Sequence, residues 1–168
     1  MKRLILMRHA KSDWSQGGLT DYDRPLSKRG VKDASNMGKW MARNVELPEI
    51  ILCSAAQRTQ QTMQLLLLAL EASDIQTRSI IQQLLESMYL ASSRTLKQLV
   101  HAHLNKYESM MLVAHNPGIE DLLEYYCPHA PLTQNNKLMT TGNIAVIEFD
   151  DLLNASLIAF QRPKELEE

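Results

Sequence analysis

Four side chains that can bind or carry an anion come after short apolar runs of this chain: Arg8, His9, Arg58 and His115. Three of them follow directly, and Arg58 lies one helical turn into the helix expected after the second run. Guanidinium groups match the geometry of phosphate oxygens, and a neutral imidazole can attack phosphorus and carry the phosphoryl group covalently. A second imidazole can donate hydrogen bonds to the charge that develops in the transition state. These residue types together predict phosphoryl transfer. The sequence has neither a Walker-type glycine-rich loop nor a carboxylate cluster that would indicate a metal.

The apolar runs predict strands, and helical spacing of apolar residues predicts the helices between them. Strands are expected over 4–7, 49–54, 76–81, 109–114, 144–149 and 156–160. Helices are expected over 28–45 with Ser27 as N-cap, over 55–72, over 93–106 and, briefly, after the Asn116-Pro117-Gly118 turn. Alternating strands and helices predict an α/β fold with a mostly parallel sheet covered on both faces. Ligands bind at the carboxyl ends of such strands, so the four side chains should meet at one edge.

The length of 168 residues predicts one domain, over 1–162, followed by a frayed tail over 163–168. The longest apolar run, 65–70, is far shorter than the ~20 residues that span a bilayer, and no signal-peptide pattern is evident. We therefore expect no membrane partner and a cytoplasmic location. Cys53 and Cys127 are then expected to be reduced thiols.

The formal charge of −1 conceals a basic segment. Residues 1–30 contain seven Lys or Arg and three Asp, which is weak evidence for an anionic ligand. Nucleic-acid binding would need a broader basic surface with aromatic stacking partners, and the few aromatic residues are scattered. The sequence therefore predicts no nucleic-acid partner.

Four segments resemble motifs of the histidine phosphatase superfamily. Arg8-His9-Ala10 resembles its Arg-His-Gly signature, with alanine in the glycine position. The other three, in order, are 24–30 (Arg-Pro-Leu-Ser, then Arg-Gly), 54–62 (beginning Ser-Ala-Ala-Gln-Arg-Thr) and 113–117 (Val-Ala-His-Asn-Pro). The string 7–12 with Trp14, together with 86–91, is most similar to the SixA-type phosphohistidine phosphatase branch.

This resemblance implies a phosphoglycerate-mutase-like three-layer sandwich, minimal and without a cap domain. It implies that His9 is the nucleophile and that Arg8, Arg58 and His115 hold the phosphoryl oxygens, with no metal and no cofactor. Glu86 is the candidate proton donor or water-activating base, and its alternative is an ordinary solvated loop carboxylate.

Three further residues from the same segments are expected to support the site without carrying the reaction: Ser54, Arg24 and Asn116.

The resemblance implies a phosphatase that works through a phosphorylated His9 and acts on phosphohistidine of a protein, as in signal transduction. One alternative is a phosphatase or mutase of the same superfamily with a small phosphorylated substrate. A second is a phosphate-binding module without catalysis. The short chain leaves little room for a cap, and an open pocket suits a phosphohistidine presented on a protein surface.

Overall fold

The computed structural model describes residues 1–166, which contain six strands, four α-helices and two 3-10 turns. The strands are β1 (Lys2–Arg8), β2 (Ile50–Ser54), β3 (Ile81–Leu85), β4 (Ser109–Ala114), β5 (Ile144–Phe149) and β6 (Ala155–Gln161). The helices are α1 (Lys28–Asn44), α2 (Gln57–Glu71), α3 (Ser93–Leu104) and α4 (Gly118–Tyr126), and the 3-10 turns are Glu86–Met88 and Pro163–Leu166. None of the helices in the described part of the chain is long and apolar enough to cross a bilayer.

All six strands form one sheet in the order β3-β2-β4-β1-β5-β6. The first four in that order are parallel, and the hairpin of β5 and β6 adds the antiparallel pairings. Arg8 pairs with Ala114, and Cys53 pairs with Val113, so β1, β2 and β4 end level with one another. The mostly parallel sheet is confirmed, and its register places the residues that follow these strands at one edge.

The sheet separates two apolar cores because successive strand side chains point to opposite faces. On β1, Ile5 and Met7 pack with the buried faces of α1 and α2. Leu4 and Leu6 point the other way and pack with α3 and α4. The chain is thus a three-layer α/β sandwich, and no segment of residues 1–166 forms a separate domain outside it.

Two elements differ from the sequence-based expectation. The strand expected over 76–81 lies instead at Ile81–Leu85, because Ile80 donates to the carbonyl of Thr77 and closes a turn there. This edge strand is largely exposed, so it carries little apolar periodicity to mark its place. Residues 163–166, expected to be frayed, form a 3-10 turn with Pro163 buried and Arg162 donating to Glu165 at 2.8 Å. Residues 167–168 of the expected tail lie outside the described part.

Helices α1 and α2 approach closely because α1 carries a glycine at their contact. A Cβ atom at Gly38 would lie 2.6 Å from the Cβ of Ala69 and 2.7 Å from the carbonyl oxygen of Leu66. Both distances are shorter than van der Waals contact, and the second atom belongs to the backbone, which moves only with the helix.

We expect Gly38→Ala to destabilise the fold by about 1–3 kcal/mol through overpacking, although alanine is otherwise the better helix former. Gly17→Ala is the matched control, because a Cβ there meets nothing within 4 Å. Urea unfolding of the two variants measures the difference. Equal stability of both would contradict the steric interpretation.

Candidate active site

A cavity of about 380 Å³ opens where β1, β2 and β4 end. Its lining includes six residues that the sequence predicted for the site: Arg8, His9, Arg24, Arg58, His115 and Asn116. Ser54, also predicted, is fully buried and contacts His115 from behind. The parallel sheet therefore brings together residues from positions more than a hundred apart in sequence.

His9 is held as a neutral ring with one nitrogen fixed. Its Nδ1 lies 2.7 Å from the carbonyl oxygen of Ala10, which can only accept, so Nδ1 carries the proton. Burial lowers the pKa of His9 to about 3, and the positive charges of Arg58 and Arg8 lower it too. With Nδ1 protonated and the ring uncharged, Nε2 keeps its lone pair, which is the form required of a nucleophile.

Ala10 stands where the resembling motif has glycine, and the backbone accommodates it. Its φ is not among the positive values found for residues 1–166, so its methyl group causes no backbone strain. Its N–H donates to Oγ1 of Thr62 at 3.0 Å, which ties the loop after β1 to helix α2. This bond anchors Ala10, the residue whose carbonyl accepts from His9.

His115 is the second buried imidazole, with its ring centroid 5.3 Å from that of His9. Its Nε2 lies 2.8 Å from Oγ of Ser54, while its buried Nδ1 has no hydrogen-bond partner among residues 1–166. Burial lowers its pKa to about 4, with Arg58 contributing in the same direction. If Ser54 donates to Nε2, the ring proton lies on Nδ1 and is free for a phosphoryl oxygen.

Arg8 and Arg58 enter the cavity with only part of their donors used. Arg8 donates from Nη1 to the carbonyl of Met139 at 2.9 Å, and burial lowers its pKa. Arg58 donates to the carbonyl oxygen of Asp21 at 2.7 Å and to its carboxylate at 3.0 Å. The buried Nε atoms of both arginines lack a partner in the described residues. Unsatisfied buried donors of this kind favour an anion between the two side chains.

Asp21 is a cavity-lining residue for which sequence reasoning predicted no role. Its carboxylate accepts from Tyr89, from Arg24 at 2.8 Å and from Arg58, and these hydrogen bonds, that of Tyr89 first, hold its pKa well below the ordinary range. Tyr89 also packs edge-on against His115, with ring centroids 5.6 Å apart. Nothing in the polar loop 11–26 distinguishes Asp21 from its neighbouring aspartates, because its role depends on contacts across the fold.

Glu86 is the predicted site residue that the structure does not bring into the cavity. It is exposed and accepts hydrogen bonds from Oη of Tyr22 at 2.7 and 2.8 Å. Tyr22 packs edge-on against Tyr89, so two aromatic rings separate Glu86 from His115. Among the described residues, the carboxylate that lines the cavity is Asp21.

Asn116 and Arg24 hold the rim in place. Asn116 donates to the carbonyl of Met139 at 3.1 Å, the same oxygen that accepts from Arg8. Arg24 donates to Ser12 at 2.7 Å as well as to Asp21. Asn116 thus shares an acceptor with Arg8, and Arg24 shares one with Arg58. Their supporting role in the site stays a prediction.

The balance of charge suits an anion. Arg8, Lys11, Arg24 and Arg58 line the cavity against the one carboxylate of Asp21, and both histidines are neutral. Within residues 1–166, no three His, Cys, Asp or Glu side chains cluster as metal ligands do. This set of donors can bind a phosphoryl group on several oxygens while an unprotonated imidazole faces it.

The depressed histidine pKa values predict how the site titrates. The ring carbon shifts of His9 and His115 should stay constant from about pH 8 to about pH 6, where an ordinary histidine is more than half protonated. Because the unfolded chain binds more protons than the native one below about pH 6.5, these histidines should also make the protein less stable on acidification. A midpoint near 6.5 for either ring in the NMR titration would contradict the assigned neutral state.

Asp21→Asn should lower kcat/KM for the predicted phosphoryl transfer about tenfold or more, since Arg24, Arg58 and Tyr89 lose their common acceptor charge and with it their alignment. Asp13→Asn is the matched control, because Asp13 lies in the same loop and is not part of the cavity lining. Its carboxylate accepts a hydrogen bond from the backbone N–H of Ser15 at 2.8 Å. Activity at substrate saturation and below it measures the effect. An equal loss in both variants would point to the loop fold instead.

Residues 4–88 match the family model of the histidine phosphatase superfamily, branch 1. An uncharacterized protein of Mycobacterium leprae is 34% identical over 119 residues, which cover 67% of this chain and 66% of that protein. The matched regions span between 28% and 66% of the curated relatives, so this chain corresponds to less than two thirds of their length.

Two of the solved structures that share this fold differ in their similarity to the chain. One is a protein of Agrobacterium tumefaciens assigned as the phosphohistidine phosphatase SixA, with a TM-score of 0.80 and 30% identity over 96% of this chain and 98% of that one. The other is a phosphoserine phosphatase of Entamoeba histolytica in complex with phosphoserine, with a TM-score of 0.68 and 17% identity over 99% and 100% of the two chains. By the family match over half its length and this agreement in fold, the chain belongs to the histidine phosphatase superfamily.

Proposed function

We propose that this protein is a phosphatase that transfers the phosphoryl group to His9 and removes it from phosphohistidine on a protein, without a metal. The observation that carries the proposal is the state of His9. Its Nδ1–H is fixed on the Ala10 carbonyl and its ring is neutral, beside two arginines with unused donors. A cavity that only bound phosphate would gain more from a protonated histidine, which offers charge and a second donor.

In the first step, Nε2 of His9 attacks phosphorus and the bond from phosphorus to the substrate nitrogen breaks. In this proposal Arg8, Arg58 and Nδ1 of His115 hold the three equatorial oxygens, whose charge they stabilise in the transition state. The departing imidazole takes the bonding electron pair and a proton from solvent. An imidazole leaves readily, so this step needs less help from a general acid than an ester would.

In the second step, water attacks phosphorus and the bond from phosphorus to Nε2 of His9 breaks. Because Nδ1 keeps its proton on the Ala10 carbonyl, phosphorylated His9 is an imidazolium, which is a good leaving group. The lone pair returns to Nε2, one water proton remains on the phosphate and the other passes to solvent. The free neutral His9 is thereby restored.

The choice of phosphohistidine over other phosphates rests on three features. The cavity is open at the edge of the sheet and, within residues 1–166, no domain covers it. Glu86, the expected proton donor, lies outside the cavity and accepts hydrogen bonds from Tyr22. An imidazole leaves readily and needs little help from such a donor. The structural neighbour from Agrobacterium tumefaciens is assigned to the same activity. A signalling protein that carries phosphohistidine fits such a site.

A small phosphate ester is the second candidate substrate, and Asp21 is the observation that favours it. An ester leaves as an alkoxide that needs a proton, and Asp21 places a carboxylate within the cavity. The neighbour from Entamoeba histolytica was solved with phosphoserine, which is such an ester. Against this candidate, the hydrogen bonds of Asp21 hold its pKa low, so it is ionised and a poor acid at neutral pH.

The test measures phosphate release from a phosphohistidine-bearing protein and from phosphoserine. Wild type and His9→Asn are each assayed with and without a strong chelator. We expect wild type to favour phosphohistidine, the chelator to change nothing and His9→Asn to lose at least about a thousandfold in kcat. A quenched reaction of wild type should contain an acid-labile, base-stable phosphoenzyme.

His101→Asn serves as the matched control, because His101 lies on α3 outside this cavity. Activity of His9→Asn equal to that of the control would refute covalent catalysis by His9. A preference for phosphoserine would shift the assignment to the second candidate, and loss of activity in the chelator would refute the metal-independent route.

A further inference from the structure

Trp14 lines the cavity, and its ring packs against the buried guanidinium group of Arg24. The guanidinium carbon of Arg24 lies 3.4 Å from the ring centroid, and Arg24 itself is only 8% exposed. Hydrogen bonds to Ser12 and Asp21 fix the edge of that guanidinium. Trp14 nevertheless leaves 74% of its surface exposed. An indole held on one face and open elsewhere is a rigid platform at the site.

Leu90 presents a second apolar side chain to the same cavity at a conformational cost. It is 53% exposed and lies in the left-handed region, with φ of +49°. That conformation disfavours a residue with a branched side chain and suits glycine or asparagine. The leucine is therefore more than half exposed and has an unfavourable backbone conformation, although the residue lines the cavity. Its presence there is better explained by contact with a ligand than by folding.

Neither side chain has an evident part in holding the phosphoryl group. The oxygens are addressed by Arg8, Arg58 and His115, which lie deeper and are polar. The apolar pair at the mouth is therefore left to contact the leaving group, which lies on the other side of the scissile bond from the phosphoryl group. A flat aromatic ring can pack on the indole in the offset-stacked or edge-to-face geometries that aromatic pairs prefer.

We propose that Trp14 and Leu90 form the subsite for the leaving group and select a flat ring, the imidazole of phosphohistidine, over leaving groups that have none. This inference rests on the proposed function. It adds which residues recognise the part of the substrate other than its phosphoryl group. Arg24 is then a positioning residue, because it orients Trp14 and is not itself directed at the ring of the substrate.

The experiment compares substrates that share a bond type and differ in the ring. Phosphohistidine and phosphoramidate both break a bond between phosphorus and nitrogen, but only the first has a ring. Phenyl phosphate and glycerol 2-phosphate form the same contrast for esters. We expect Trp14→Ala to lower kcat/KM for the ring-bearing member of each pair about three- to tenfold, mainly through KM, and to change the other less than about twofold.

Leu90→Gly should produce the same selective loss while leaving the protein at least as stable, since glycine relieves the positive φ. Leu152→Ala is the matched control, because Leu152 is 83% exposed and lines no part of this cavity. Unchanged ring preference in Trp14→Ala and Leu90→Gly, or equal losses on both members of a pair, would overturn the subsite.

The two pairs separate this inference from the proposed function. If wild type hydrolyses the esters but not phosphohistidine, the proposed substrate is wrong. The ester pair then still shows whether Trp14 contributes to binding of a ring-bearing leaving group. A binding measurement gives a readout apart from turnover. In Trp40→Phe with His9→Ala, Trp14 is the remaining tryptophan. Its fluorescence should change with phenyl phosphate and not with inorganic phosphate, and an equal response to both would contradict stacking.

Discussion

Positive charge gathered in a half-buried cavity is the constraint on which this site depends. Burying several guanidinium groups together costs free energy unless each finds acceptors. Arg24 and Arg58 share the carboxylate of Asp21, while Arg8 has the carbonyl of Met139 and a pKa lowered by burial. The remaining unpaired N–H groups make an oxyanion the natural partner. The same burial and positive field keep both histidines neutral, and the neutral state of His9 makes it a nucleophile instead of a further cation.

Close backbone contacts connect this electrostatic arrangement to the fold. A Cβ at Gly30 would lie 2.1 Å from the carbonyl oxygen of Lys11, and one at Gly118 would lie 1.9 Å from that of Ala91. The loop after β1 is thus pressed against α1, and the loop that carries Tyr89 and Leu90 against α4. Loops fixed in this way can hold polar groups to the geometry that phosphoryl transfer needs.

Much of the fold followed from patterns that are local in sequence. Buried strands such as β1 and β4 are short apolar runs, and Ser27 caps α1 as expected, with its side chain accepting from Gly30. Strand β3 was displaced because an exposed edge strand gains its place from pairing with β2 and not from its own apolar residues. Arg8, His9, Arg58 and His115 were likewise expected at one edge of the sheet. Arg8 ends β1, His9 and His115 follow β1 and β4, and Arg58 lies in the first turn of α2 after β2, and these three strands run parallel.

The sequence by itself determined the chemistry available: the residue types that end the strands, the apolar runs that build the sheet and the family to which they belong. Only the tertiary structure decided which carboxylate enters the site. Glu86 was expected there, but it accepts a hydrogen bond from Tyr22 outside the cavity. Asp21, from a loop without a recognisable pattern, accepts hydrogen bonds from Arg24, Arg58 and Tyr89. The physical reason is that strand-end positions are set by periodic local patterns, but the partner of a loop carboxylate is set by charges that meet across the fold.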